Sequence, residues 1–183
     1  MSLDDLENLI GRGPNGISAD RPVVVVIDDD AGIRNSLASV LKAQYSVRTC
    51  ADGIEGVQQV DKDTGCVILD VKMPTHDGFW VCKHLRKKAP DVPIIFHSAY
   101  QDAKHPFDII NEFHPFGYVM KGEKVADLLS LVANAVKHSN RLKETRRTIE
   151  RLRDAREQLK SLQEGAPAAP RPTTIPPPRS RSR

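Results

Sequence analysis

Five consecutive β-branched residues, Val23-Val24-Val25-Val26-Ile27, run directly into three carboxylates, Asp28-Asp29-Asp30. A run without polar alternation cannot be one face of an amphipathic element, so it predicts a strand buried on both faces, as in the middle of a parallel sheet. In open α/β sheets, ligands bind outside the carboxyl ends of the strands. Like charges packed at such an edge repel unless a cation sits among them or protons are retained. Mg²⁺ suits the position, because it takes one or two carboxylates together with waters and phosphate oxygens. The segment alone also has a plainer reading, in which Asp30 caps the next helix while Asp28 and Asp29 are solvated.

The chain then repeats one pattern. Ile33, Leu37, Val40 and Leu41 recur at helical spacing up to Gln44, and Tyr45–Cys50 reads as a short strand with Val47 inward. Asp52 and Glu55 form a capping box for a helix through Val60. Cys66-Val67-Ile68-Leu69 is a second buried run that stops at a carboxylate, Asp70. Asp77-Gly78 turns into a helix with Phe79, Cys82 and Leu85 on one face, and Pro93–Phe96 is a strand ending at His97-Ser98. Pro106 opens a helix through Phe113, Tyr118-Val119-Met120 is a strand ending at Lys121, and a last helix begins with Val125, Leu128, Leu129 and Val132. Alternation of this kind predicts an α/β fold with a doubly wound, five-stranded parallel sheet. Strand ends on one edge of such a sheet converge, which brings Asp28, Asp29, Asp70, Ser98 and Lys121 toward one pocket. Each also has a bland reading by itself: Asp70 as a loop cap, Ser98 as a turn residue, Lys121 as a solvated lysine.

Composition sets the outer bounds. A chain of 183 residues with 39% hydrophobic content holds one ordinary domain and an addition. No apolar run approaches the roughly 18 residues needed to span a bilayer, and no leader pattern opens the chain, so a soluble cytoplasmic protein is expected. Cys50, Cys66 and Cys82 contain no C-x-x-C pair and read as small buried hydrophobes. Up to Lys137 there are 15 Lys/Arg against 19 Asp/Glu; from His138 to Glu164 there are 8 against 5, and the remainder adds four arginines. An acidic body therefore carries a basic extension, for which a solvated helix is a commoner explanation than nucleic-acid contact.

Four stretches together resemble the receiver domain of two-component response regulators: Ile27-Asp28-Asp29 with Arg34, Ile68-Leu69-Asp70-Val71-Lys72-Met73-Pro74 with Asp77-Gly78, Ser98-Ala99, and Gly117-Tyr118-Val119-Met120-Lys121. The resemblance covers residues 22–138. It implies a flavodoxin-like receiver whose Asp70 accepts a phosphoryl group from a histidine kinase or phosphotransfer protein. A carboxylate can serve as a nucleophile toward phosphorus, provided fixed positive groups meet the charge that develops on the phosphoryl oxygens. By resemblance, Asp28, Asp29, Asp70 and the backbone carbonyl of Lys72 hold Mg²⁺, Lys121 pairs with the phosphate, Ser98 donates a hydroxyl, and Tyr118 turns inward as the switch. The output implied is a conformational shift read by a downstream protein, without enzymatic turnover. Two departures stand out. Gly122 follows Lys121 where the family usually has proline, so Lys121 is expected to be less firmly aimed. Lys72 and Tyr100 occupy positions that in the family tune phosphate loss, and a bulky Tyr100 is expected to shield the site.

The flanks are expected to differ in kind. Residues 1–21 read as a flexible lead-in, with a short helix over Leu3, Leu6, Leu9 and Ile10 broken by a Gly/Pro-rich stretch. Leu128, Leu131, Ala135, His138, Leu142, Thr145, Ile149, Leu152, Arg156 and Leu159 follow a heptad a/d pattern. This extends the last helix through residues 139–164 as a coiled coil and suggests a homodimer through 128–159. A lone solvated helix held by pairs such as Arg146–Glu150 is the alternative. Residues 165–183, rich in proline and arginine, are expected to be disordered. No DNA-binding or enzymatic output domain is expected in what remains. Two further functions fit less of the sequence: a receiver-fold scaffold that is never phosphorylated, and a haloacid-dehalogenase-type phosphatase built on Asp28-x-Asp30.

Overall fold

The computed structural model describes residues 21–99 and 106–164. The lead-in before Arg21, the segment containing Tyr100 and the tail after Glu164 lie outside the described residues.

Five strands, β1 (Val23–Ile27), β2 (Ser46–Cys50), β3 (Thr64–Leu69), β4 (Ile94–Ser98) and β5 (Gly117–Met120), form one sheet in the order β2-β1-β3-β4-β5. Every neighbouring pair is parallel. The connections are the helices α1 (Ala31–Leu41), α2 (Gly53–Gln59), α3 (Gly78–Lys88) and α4 (Pro106–Phe113), and α5 (Val125–Glu164) closes the series. Parallel strands need such crossovers, and the helices bury both faces of the sheet. Val24 and Val26 point into one apolar cluster with Leu37, Leu41, Leu128 and Val132, on the α1 and α5 side. Val25 and Ile27 point the other way, into a cluster with Val81, Leu85, Ile109 and Phe113. The period-2 geometry of a strand thus explains why an unbroken apolar run was needed. The strand order reverses between β1 and β3, which makes their carboxyl ends the switch-point crevice.

Local details depart from the sequence reading where tertiary packing decides. Val40 shares a helical register with Leu37 and Leu41 yet is 41% exposed, because Leu37 and Leu41 fill the space against the sheet. All three cysteines are free and buried.

The last helix runs 40 residues, and the chain divides into two compact units between Glu144 and Thr145. In the first unit α5 is part of the domain: Leu128, Val132, Ala135 and Val136 are buried, Ser139 Oγ donates to Thr64 O at 3.4 Å, and Lys143 Nζ donates to Asp63 O at 2.6 Å. Of the expected seam positions, Leu128 and Ala135 are consumed by the domain's own core, while Leu131 packs against the same cluster and stays half-buried. In the second unit the helix presents Ile149, Leu152 and Leu159 to solvent, at 44%, 65% and 62% exposure.

Candidate functional site

The β1 end splits its three acids into different jobs. Asp28 is buried, while Asp29 and Asp30 are exposed. Asp30 is the N-cap of α1, accepting from Gly32 N at 2.7 Å and Ile33 N at 3.1 Å. Those backbone bonds favour its charged form and lower its pKa. A carboxylate committed to a cap is not available as the second acid of an Asp-x-Asp phosphatase site, which removes the main support for that reading. Asp28 Oδ1 accepts from Asp30 N at 2.9 Å, which orders the turn.

Asp70, at the end of β3, is only 3% exposed. One oxygen accepts from Lys72 N at 3.3 Å and the other meets Lys121 Nζ at 2.7 Å. Lys121 Nζ also lies 3.0 Å from Asp28 Oδ2. Burial pushes the pKa of Asp70 up, with Asp28 adding to it, and the Lys121 and Lys72 donors offset this only in part. Burial disfavours the charge on Lys121, but hydrogen bonds and charge from Asp70 and Asp28 outweigh it and raise its pKa. One ligand atom each from Asp28, Asp29 and Asp70 lies within 4.8 Å of the others. Three hard oxygen donors at this spacing fit Mg²⁺ by charge and by donor chemistry.

The aim of Lys121 differs from expectation. Gly122 adopts φ of +97°, a left-handed conformation closed to proline, and Lys121 is nonetheless anchored by two carboxylates and by its own N–H to Ser98 O at 2.7 Å. Ser98 is fully buried at the end of β4, where its hydroxyl donates to Ala99 O at 3.4 Å. Tyr118 is half-buried against the α3–α4 cluster, on the opposite face from α5. The side chain of Lys72 is exposed.

Two contributors act in ways the sequence did not show. Arg34 Nη1 donates to Asp28 O at 2.6 Å and to Asp29 O at 2.8 Å, clamping the acidic turn from inside α1. A cation in the first turn of a helix opposes the helix dipole; that mismatch was the available signal. Gly78 lies so close to the Asp70 loop that a Cβ there would strike Asp70 O and Val71 Cα, and its N–H donates to Val71 O at 2.8 Å. Small size, not turn chemistry, fixes this residue.

Residues 24–133 match the model of the response regulator receiver domain. The chain belongs to this family. Among relatives of the receiver, response regulator MprA of Mycobacterium leprae (strain TN) is 38% identical over 78 residues, covering 42% of this chain and 34% of that protein. The receiver chain thus spans about a third of the length of the curated relatives it matches. A receiver domain protein from Clostridium thermocellum superposes with a TM-score of 0.61 at 24% identity, covering 66% of this chain and 98% of that one. A CheY-like receiver domain protein from Methanospirillum hungatei JF-1 gives a TM-score of 0.60 at 21% identity, covering 67% and 98%. At these identities the likeness is one of fold. The receiver places the chain in two-component signalling, and among its described residues no helix is long and apolar enough to cross a membrane.

Proposed function

We propose that the chain is a phosphorylatable receiver that takes a phosphoryl group onto Asp70 and reports it through protein contacts. The supporting observation is the convergence of a buried Asp70 with Asp28, Asp29 and the doubly paired Lys121 at the switch point of the sheet.

In this reading the donor is a phosphohistidine on a sensor kinase or phosphotransfer protein. A carboxylate oxygen of Asp70 attacks phosphorus, an O–P bond forms, the P–N bond breaks, and the electron pair leaves with the imidazole. Asp28, Asp29, Asp70 and the Lys72 carbonyl hold Mg²⁺, which when bound offsets negative charge on the phosphoryl oxygens. Lys121 supplies a second fixed positive charge, and Ser98 turns its hydroxyl from Ala99 O toward the new phosphoryl oxygen. Arg34 holds the acidic turn so that its carboxylates face inward. The product carries more negative charge than the carboxylate, and the change biases a two-state surface that includes Tyr118. Nothing turns over, so the chain acts as a switch and not as an enzyme. Its partners are the kinase, a downstream protein, and a second copy through the helix beyond Glu144. Its location is the cytoplasm, where such donors are made.

Intact mass after incubation with Mg²⁺ and acetyl phosphate tests the reading. A gain of one phosphoryl group is expected in the parent, and none in Asp70→Asn or with a chelator present. An unchanged parent mass with an unlabelled Asp70→Asn control, repeated with a phosphorylated kinase as donor, would favour the unphosphorylated scaffold.

A further inference from the structure

A cavity of about 360 Å³ opens between the start of α2 and the turn from β3 into α3. Asp52, Ile54, Glu55 and Gln58 line it from α2, and Thr75 and His76 line it from the turn. The two sides meet closely because Gly53 has no side chain: a Cβ there would strike Val81 Cγ2 and come within 3.1 Å of His76 Cβ. The His76 ring packs on Trp80 with centroids 4.0 Å apart, and Trp80 stacks on His84 at 3.8 Å. Ile54 is 48% exposed, an aliphatic side chain that the domain leaves uncovered. Asp52 Oδ1 accepts from Glu55 N at 2.8 Å and Glu55 Oε2 accepts from Ala51 N at 2.8 Å. Those bonds cap α2 and hold both carboxylates in place, yet no lysine or arginine among the described residues pairs with either. Among the described residues, only Asp28, Asp29 and Asp70 gather three ligand atoms at the spacing of one metal ion; Asp52, Glu55 and His76 do not. A compact ion is poorly served here, and a broad organic cation fits the spread of charge. A guanidinium is planar, forks to carboxylates, stacks on rings and sheds water more readily than an ammonium.

We propose that this cavity docks an arginine side chain of a partner protein, with an aliphatic residue beside it in the partner's sequence. The guanidinium meets Asp52 and Glu55 and lies against the His76 ring, and the aliphatic neighbour covers Ile54. The volume stands at the low end for small-molecule sites, which admits side chains and not a folded element. The acidic body, with 15 Lys/Arg against 19 Asp/Glu up to Lys137, draws a basic partner from a distance. Asp70 takes no part, since no lining residue belongs to its cluster.

A blocked tetrapeptide with one arginine beside one leucine, titrated into the full chain and followed by two-dimensional amide NMR, is the test. Saturable shifts centred on residues 52–58 and 75–76 are expected, with a Kd of about 1 mM that weakens as salt is added. Asp52→Asn combined with Glu55→Gln keeps both capping acceptors, so the fold should persist while affinity falls by about tenfold. Citrulline, the uncharged isostere, in place of the arginine should cost the parent as much. Lysine in its place should bind about threefold more weakly, because an ammonium neither forks nor stacks. Shifts that fail to saturate or that centre elsewhere would overturn the proposal, as would equal affinity in the double variant or for the citrulline peptide. Equal affinity for the lysine peptide would overturn the choice of arginine. Tighter binding once Arg171, Arg179, Arg181 and Arg183 are all changed to glutamine would give the cavity to the chain's own basic end and overturn the outside partner.

Discussion

At the scale of single residues, the site is built around a carboxylate that the fold strains to keep charged. Asp70 is buried and next to Asp28, and its raised pKa means that the folded state binds its proton more tightly than the unfolded chain does. Stability from this group is therefore present at acid pH and is lost as pH rises through the folded-state pKa. In metal-free protein at neutral pH, Asp70→Asn keeps the shape and removes the charge, so it should stabilise by about 1 kcal/mol. Thermal unfolding with a chelator should show this gap narrowing as pH falls toward the protonation of Asp70. Mg²⁺ should stabilise the parent more than the variant, because a ligand of the folded state adds stability only where it binds. A less stable variant at neutral pH without metal would mean that the Lys121 pairing outweighs the burial.

At the scale of elements, the loop from β3 into α3 is held by close backbone approach. Gly78 sits against Asp70 O and Val71 Cα, so Gly78→Ala must push either the loop or the helix aside. Overpacking of this sort costs about 1–3 kcal/mol. Chemical denaturation should show that loss, and Mg²⁺ titration should show weakened affinity because the displaced backbone carries Asp70. Unchanged Mg²⁺ affinity would show that the loop moves independently of the carboxylate. Sequence made these elements legible wherever a periodic pattern and a chemical group coincided: the apolar runs before Asp28 and Asp70, the capping box of Asp52 and Glu55, and the position of Lys121 after a strand. Asp52 accepts from Glu55 N at 2.8 Å and Glu55 accepts from Ala51 N at 2.8 Å, one residue from the predicted reciprocal bond. Features set by close packing or by a local backbone turn were not legible. The left-handed Gly122, the backbone contact of Gly78 and the outward turn of Val40 depend on local space, which no periodicity encodes. At His97 the strand end is legible from the apolar run before it, while the face that takes the imidazole is fixed by the pairing of β4 with β3 and β5.

At the scale of the whole molecule, a helix of 40 residues continues well past Lys143, whose Nζ donates to Asp63 O. From Leu142 on, the a positions are Leu142, Ile149 and Arg156 and the d positions are Thr145, Leu152 and Leu159. One residue past each d position stands a base: Arg146, Arg153 and Lys160. In an antiparallel pair of identical helices this basic row would face its own copy, whereas in a parallel pair it faces the row of Arg141, Thr148 and Ala155. Charge therefore favours parallel pairing, and the flaws that remain are Arg141 opposite Arg146 of the copy and Arg156 opposite its counterpart at an a layer. Such a seam is weak by construction and should tighten with salt, the reverse of a pair held by ion bridges. Sedimentation of the full chain should show a dimer fraction that rises with ionic strength. Arg156→Leu should strengthen association by about tenfold, and Leu152→Lys should abolish it. If Arg156→Leu remains monomeric at high salt, the exposed leucines serve a different helix, and a partner with an acidic row to meet Arg146, Arg153 and Lys160 becomes the arrangement that the charges favour.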